Sequence, residues 1–368
     1  MSYFPPRQPD FNYLSHLEII GWDNINPLTM SDLKYYIAHI NEKGKPDDWF
    51  FDSFLVVNSW TLNGNDLYCD VNIGTTRCGG GDFFAVPVSN PATFADWTLY
   101  LESLFSKDGA LSRIDRTINE LKGIIRTPLP FKRNIVIGIP YPHHNQFRFG
   151  KIKKSAPHLN FSVIGQNLMK ATEQRFEACR WFVDETIARF SKGKFHNINF
   201  LGFYWLYESM HYSWDVDDHW VVKELYKHIR SRNGRFFWIP FFSSFNETIM
   251  SNSPGFYFDC AFLQPNHMFY PWLRDVKHAA EAAAARHGGI EIEYYLDIAP
   301  AFGIGKEKYR RLRNYLNGGI EYGYMKQSAC AYFIGLNDLH KIATHRNPRE
   351  REVYHDLFHF VKGDYERK

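Results

Sequence analysis

Cysteine is scarce in this chain: five in 368 residues, Cys69, Cys78, Cys179, Cys260 and Cys330, at no regular spacing. That excludes a disulfide scaffold and any Cys-x-x-Cys metal or redox motif. Cys179, Cys260 and Cys330 lie in apolar runs and read as buried thiols; Cys69 and Cys78 leave a pairing across a loop open. No apolar run approaches the ~18–20 residues of a membrane helix, so no membrane span is expected. The opening stretch Met1-Ser2-Tyr3-Phe4-Pro5-Pro6-Arg7 lacks an apolar signal core. The expected location is therefore the cytoplasm, or the periplasm or exterior if a signal peptide has been removed. Charge of one sign is also lacking. The net charge is +3, and no basic tract carries interleaved aromatics, which speaks against nucleic acid as a partner. Metal and nucleotide motifs are missing too. There is no His-Glu-x-x-His, no calcium loop and no Gly-x-Ser-x-Gly, and Gly79-Gly80-Gly81 is not followed by Lys-Ser/Thr. Asp215-Val216-Asp217-Asp218-His219 reads as a helix cap rather than a metal site. Neither a metal nor a cofactor is expected.

What is plentiful is aromatic: 17% of the chain, with 10 Trp, 22 Tyr and 32 Phe. A large core accounts for this, and so does sugar stacking, because the apolar faces of sugars pack on aromatic rings. Short, near-continuous apolar runs recur, the mark of parallel strands buried on both faces. They are His16–Ile20, Phe51–Val57, Asn134–Pro140, a run ending at Glu208, Arg235–Pro240, Phe256–Leu263, a run ending at Glu293, and Ser328–Gly335. Helical periodicity separates them. Helices are expected from an N-cap at Ser31 to about Asn41, and from Gly165 to about Ser191. Others are expected after Asp217 or Asp218, from Pro271 to His287, from Glu307 to a stop at Gly318-Gly319, and from Arg349 to Val361. Eight strand–helix units predict a closed (β/α)8 TIM barrel with right-handed crossovers, one domain over 1–368. Residues 61–90, after the second strand, are too long for an ordinary connection and predict an excursion over the C-terminal face.

In a (β/α)8 barrel the chemistry sits at the C-terminal ends of the strands. Glu208 ends the fourth run and Glu293 the seventh, which face each other across such a mouth. Side chains alternate along a strand, so Glu291 and Glu293 share one face, and Ile290 and Ile292 the other. Both glutamates are therefore expected inside the barrel, where a carboxylate needs a partner or a role. Glu293 reads as the reacting group and Glu291 as a supporting one. Gln264 and Asn266 follow the sixth strand, and their amides offer paired donors and acceptors for sugar hydroxyls. Trp22, Trp60, Tyr141, Trp205 and Tyr295 are candidate stacking walls, with His143 as a further contact.

Several ordered segments resemble the bacterial family catalogued as domain of unknown function 4855. They are Gly202-Phe203-Tyr204-Trp205 with Glu208, Phe237-Trp238-Ile239-Pro240, Leu263-Gln264-Pro265-Asn266 and Gly289-Ile290-Glu291-Ile292-Glu293. Lys45-Pro46 with Trp49-Phe50-Phe51-Asp52, and Asp96-Trp97 with Tyr100-Leu101, resemble it as well. The resemblance covers nearly the whole chain and is similar in turn to barrel glycosidases of the large retaining clan. It implies a glycan substrate, an oligosaccharide or polysaccharide, with Glu208 as acid/base and Glu293 as nucleophile. The chain departs from that clan in having Tyr207-Glu208 where an Asn-Glu dipeptide is usual. The expected activity is that of a retaining glycoside hydrolase. The alternative is a carbohydrate-binding barrel in which the two glutamates only accept hydrogen bonds. The two environments are expected to differ, aromatic neighbours raising the Glu208 pKa and a Tyr295 hydroxyl holding Glu293 ionised.

Overall fold

The computed structural model describes residues 2–22, 27–58, 71–73, 83–85, 91–242, 245–252, 255–272, 275–296 and 305–368. Eight parallel strands close into a barrel. They are β1 (His16–Gly21), β2 (Ser53–Val57), β3 (Arg133–Ile139), β4 (Ile198–Trp205), β5 (Arg235–Trp238), β6 (Cys260–Leu263), β7 (Gly289–Tyr294) and β8 (Cys330–Ile334). Each neighbours the next, and β8 returns to β1 through His16↔Cys330, Leu17↔Ala331 and Glu18↔Tyr332. This is the TIM barrel. The excursion between β2 and the next helix is present as well, and its described part is an antiparallel pair, Val71–Ile73 with Phe83–Ala85. A second antiparallel pair, Ala38–Ile40 with Pro46–Trp49, precedes β2.

Alternation sorts the side chains into two cores. Leu17, Ile19, Leu55, Val57, Val136, Leu201, Tyr204, Phe237, Phe262 and Ala331 fill the lumen. Ile20, Phe54, Ile135, Ile137, Phe236, Ile290, Ile292, Tyr332 and Ile334 pack outward against the helices. Each such buried side chain contributes on the order of 1.5–3 kcal/mol of burial free energy. Phe4, Phe11 and Leu14, from the segment before β1, join the inner core, and the ring of Phe11 meets that of Phe237 edge-on at 6.2 Å. They close the N-terminal end of the lumen. Glu18 lies on the outward face of β1, fully buried, and neither of its carboxylate oxygens has a hydrogen-bond partner. Burial pushes its carboxyl well above the usual range, which favours its neutral form.

Helix boundaries follow caps. Helix α1 is Met30–Ile37, started not by Ser31 but by Thr29, which forms a capping box with Asp32. It ends at Ile37 because Ala38 turns extended and enters the small antiparallel pair. The other helices are α2 (Phe94–Phe105), α3 (Ala110–Lys122), α4 (Leu168–Lys192), α5 (Asp218–Ser231), α6 (Val276–Ala285), α7 (Glu307–Glu321), α8 (Tyr324–Gln327), α9 (Leu339–Ala343) and α10 (Pro348–Lys362). Helix α7 does not stop at Gly318-Gly319. A Cβ on Gly319 would lie 2.3 Å from the Phe360 ring, and one on Gly318 2.9 Å from Val276 and the Tyr324 hydroxyl. The glycines are there for close packing, not for termination. No described helix is long and apolar enough to cross a membrane.

Candidate active site

The site begins with an irregularity in β4. Against β3 its register runs Ile135↔Phe200 and then Val136↔Gly202, so Leu201 is an extra residue. Such a bulge re-aims the side chains that follow. Gly202 is required at that place, since a Cβ there would sit 1.9 Å from the Arg235 carbonyl oxygen. Beyond the bulge Tyr204 and Leu206 face the lumen, while Phe203, Trp205 and Tyr207 face the helices. By the same alternation Glu208 turns inward at the C-terminal mouth. Without the extra residue Glu208 would point outward.

β7 supplies the other carboxylates. Glu291 and Glu293 pair in register with Ala331 and Phe333, both on the lumen side. Both are buried, Glu293 completely at 0% exposure. β6 pairs with β7 only at Phe262↔Gly289 and Leu263↔Ile290. Above that point, at the level of Glu293, the strands are not bridged. There Tyr315 of α7 donates its hydroxyl to Glu293 Oε2 and accepts from the Met268 backbone N–H at 3.3 Å. The Gln264 side-chain amide and the Asn266 N–H also approach the carboxylate and favour its ionised form. Glu293 Oε1 nevertheless has no hydrogen bond of ordinary geometry, and neither do Glu291 Oε2, Gln264 Oε1 and Asn266 Nδ2. Gln264 is fixed through its backbone: its N–H donates to the Pro240 carbonyl at 2.9 Å, and its carbonyl accepts from Phe242 at 2.7 Å. Asn266 holds a left-handed conformation, φ 55°, which asparagine tolerates better than most residues.

Burial pushes all three carboxyls up. Glu208, partly exposed, rises to about 7. Glu293 rises to about 8, through burial first, opposed by the Tyr315 hydroxyl and reinforced by the charge of Glu208. Glu291 is also pushed well above the usual range, by burial and then by its neighbours Glu293, Glu208 and Glu18. Three carboxylates in one apolar enclosure cannot all ionise near neutral pH. No hydrogen-bond donor opposes the shift at Glu291, whereas Tyr315, Gln264 and Asn266 oppose it at Glu293. The expected split, with Glu208 raised and Glu293 low, is not found, because complete burial of Glu293 outweighs its hydrogen bonds. The donor expected from Tyr295 comes instead from Tyr315.

Residues 21–359 match the family model described as "Domain of unknown function (DUF4855)". The chain belongs to the DUF4855 family. No curated protein matches the sequence. Among solved structures, the chain is similar to a glycoside hydrolase family 5 enzyme from Prevotella bryantii, at 10% identity and a TM-score of 0.43. That alignment covers 97% of this chain and 100% of the other. For a GH5-4 broad specificity endoglucanase from an uncultured bacterium the values are 10% and 0.41, over 98% and 97%. For the tryptophan synthase complex from Pyrococcus furiosus they are 9% and 0.38, over 95% and 98%. Likeness at this level carries no information about activity.

In this DUF4855 barrel the remaining candidates divide sharply. Gln264, Asn266, Glu291 and Tyr295 gather with Glu208 and Glu293. Tyr295 is half-buried, its ring 5.3 Å from those of Phe269 and Phe333, and nearby Glu293 and Glu208 raise its pKa after burial does. Tyr204, which sequence reasoning passed over, lies in the lumen in the field of Glu208 and Glu291. Trp22 and Trp205 are not at the mouth surface. Trp22 is buried in the helix layer with Arg113 5.4 Å over its ring. Trp205 is fully buried and meets Tyr141 edge-on at 5.6 Å. Trp60 lies outside the described residues.

Tyr141 and His143 belong to a buried network behind Glu208. Tyr141 donates to Asp218 at 3.1 Å, and Arg175 of α4 donates to the same carboxylate at 2.5 Å and to the Pro142 carbonyl at 2.7 Å. Both members of the Arg175–Asp218 pair are fully buried. The His211 N–H also donates to Asp218, at 2.9 Å, and His211 hydrogen-bonds Tyr207. His143 stacks on His144 at 4.7 Å. Burial, helped by the charges of His144 and Arg175, lowers the His143 pKa to about 3, so the ring is neutral. Asp217 caps α5 by accepting from the Trp220 N–H, which accounts for one of the acids in the Asp215–His219 run. Arg175, Asp218 and Tyr315 were missed because each acts from a distant element; only the cap signal at Asp217-Asp218 was local.

Proposed function

We propose that this barrel hydrolyses glycosidic bonds by a retaining two-glutamate mechanism. The observation that carries the reading is the convergence of Glu208 and Glu293 at the C-terminal ends of β4 and β7, both raised to the neutral range. A carboxyl that titrates near the working pH is suited to transfer protons. Glu208, the partly exposed one, delivers a proton to the leaving group and then takes one from water. Glu293 attacks the anomeric carbon, its position fixed by Tyr315 and its ionised form favoured by Tyr315, Gln264 and Asn266. Glu291, its carboxyl pushed up by burial, supports it from one layer below. The unpartnered amide atoms of Gln264 and Asn266 are matched to sugar hydroxyls. No cofactor enters this chemistry. The substrate is an oligosaccharide or polysaccharide.

A panel of plant, bacterial and host glycans, assayed for newly released reducing sugar, tests the reading. At least one member should be cleaved by the wild type, Glu293→Gln should lose nearly all of that turnover, and Glu208→Gln most of it. Glu208→Gln should recover roughly 10²–10⁴-fold on a substrate whose leaving group needs no protonation. One observation favours a second reading. Glu293 is wholly enclosed, as befits a carbohydrate-binding barrel whose glutamates only accept hydrogen bonds. Glycan binding without cleavage, unchanged in Glu293→Gln, would favour it.

A further inference from the structure

The stacking surfaces expected from sequence, Trp22 and Trp205, are buried, yet the loops around the mouth carry other rings in full view. Trp214 is 80% exposed and Tyr212 72%, both in the loop between β4 and α5 that also carries Glu208. Trp272, in the loop between β6 and α6 that follows Gln264 and Asn266, is 62% exposed. Phe147 and Ile164, in the loop between β3 and α4, add exposed apolar surface at the same end of the barrel. Trp214 is the most exposed large apolar side chain among the described residues.

The loop that presents Trp214 is not a loose one. Tyr212 and Asp217 form an antiparallel bridge, and Ser213 N–H donates to the Val216 carbonyl at 2.8 Å, closing a tight turn with Trp214 at its tip. At its base, Asp218 N–H donates to the His211 carbonyl at 2.8 Å, and the His211 N–H returns a bond to the Asp218 carboxylate. That carboxylate is the fully buried partner of Arg175. A buried ion pair thus fixes a turn whose tip is an indole in water. An exposed indole held in this way offers a stacking surface to a ligand with a flat apolar face and polar edges. Glu208 shares the loop of Trp214, and Trp272 follows β6, the strand beside that of Glu293, so exposed rings stand on the loops after β4 and β6 at the end of the barrel that holds the carboxylates.

We infer that Trp214, with Tyr212, and Trp272 are outer stacking platforms for a glycan chain of several pyranose units that passes over the carboxylates and extends beyond them in both directions. The substrate is then a polymer cut internally. This rests on the glycosidase reading and deepens it by naming the substrate class.

Native-gel affinity electrophoresis of the full chain tests it, in soluble β-glucan, xylan, galactomannan, α-glucan and polygalacturonate, using wild type and the Glu293→Gln variant. At least one polymer should retard both proteins. Trp214→Ala and Trp272→Ala should each weaken that retardation about tenfold or more, and Trp214→Phe, which keeps a ring, should largely restore it. The melting temperature should not move, since both rings are exposed. Products from the same polymer should begin as mixed oligosaccharides rather than single sugar units. Retardation that persists in both alanine variants would overturn this inference and leave the glycosidase reading standing. So would a concentration-dependent dimer abolished by Trp214→Ala, which would make the tip a self-association surface. If no polymer is bound or cleaved at all, this inference fails, and the wider glycan panel decides the glycosidase reading separately.

Discussion

At the scale of single residues, the account turns on which carboxyl holds a proton. Glutamate ordinarily titrates near 4.5; Glu208 is raised to about 7 and Glu293 to about 8. A raised acid stabilises the fold while protonated, and that contribution is lost as pH rises through the folded value. Wild type should therefore lose stability between about pH 5 and 8. Glu293→Gln, which keeps an acceptor for Tyr315 but cannot ionise, should melt above wild type at pH 9 and level with it at pH 4. Thermal unfolding across that range checks the sign. The proposed roles also need Glu293 ionised and Glu208 protonated, which only a minority of molecules satisfy at any pH. Activity should be bell-shaped, with its optimum between about 7 and about 8, both limbs being properties of the coupled set. Removing the Tyr315 donor by Tyr315→Phe should raise Glu293 further. The optimum should then move up and the peak fall, about tenfold for each pH unit by which Glu293 rises. An unmoved pH profile would show that Tyr315 is structural only.

At the scale of elements, the loop after β4 depends on Asp218. Asp218→Ala leaves Arg175 charged and buried with its partner gone, a loss of about 3–5 kcal/mol in denaturant unfolding. Because the same carboxylate holds His211 and Tyr141, turnover should fall in this variant even at temperatures where it remains folded. Replacing both partners by apolar residues should recover much of the stability. The elements themselves were largely legible. Eight apolar runs became eight strands because a parallel barrel buries both faces of each. Their ends were less so. Phe256–Asp259 reads as the start of β6 but precedes it, since its aromatics continue the apolar run without joining the ladder. The Thr29-x-x-Asp32 box was available to place the start of α1. The glycines within α7 were not interpretable locally, because their reason lies on α6, α8 and α10. Alternation placed Glu291 and Glu293 inward correctly. Trp205, expected as a stacking wall, faces the helices instead, because a one-residue bulge at Leu201-Gly202 sets the parity that turns Glu208, not Trp205, toward the mouth. Bulges have no reliable sequence signal beyond a strand glycine.

At the scale of the whole molecule, one end of the barrel is closed by Phe4, Phe11 and Leu14, and the other collects carboxylates, the side chains of Gln264 and Asn266, and exposed rings. The asymmetry matches the general division of such barrels into a stabilising and a reacting face. The central claim is that Glu293 forms a bond to the sugar. It is tested most directly by trapping. A 2-fluoro glycoside with a good leaving group, built on whichever sugar the glycan panel identifies, should inactivate the enzyme with time. Intact mass should rise by one fluorosugar, and peptide mapping should place the adduct on Glu293, with none in Glu293→Gln. An adduct on another carboxylate, or steady turnover of the panel substrate without any adduct, would contradict the account.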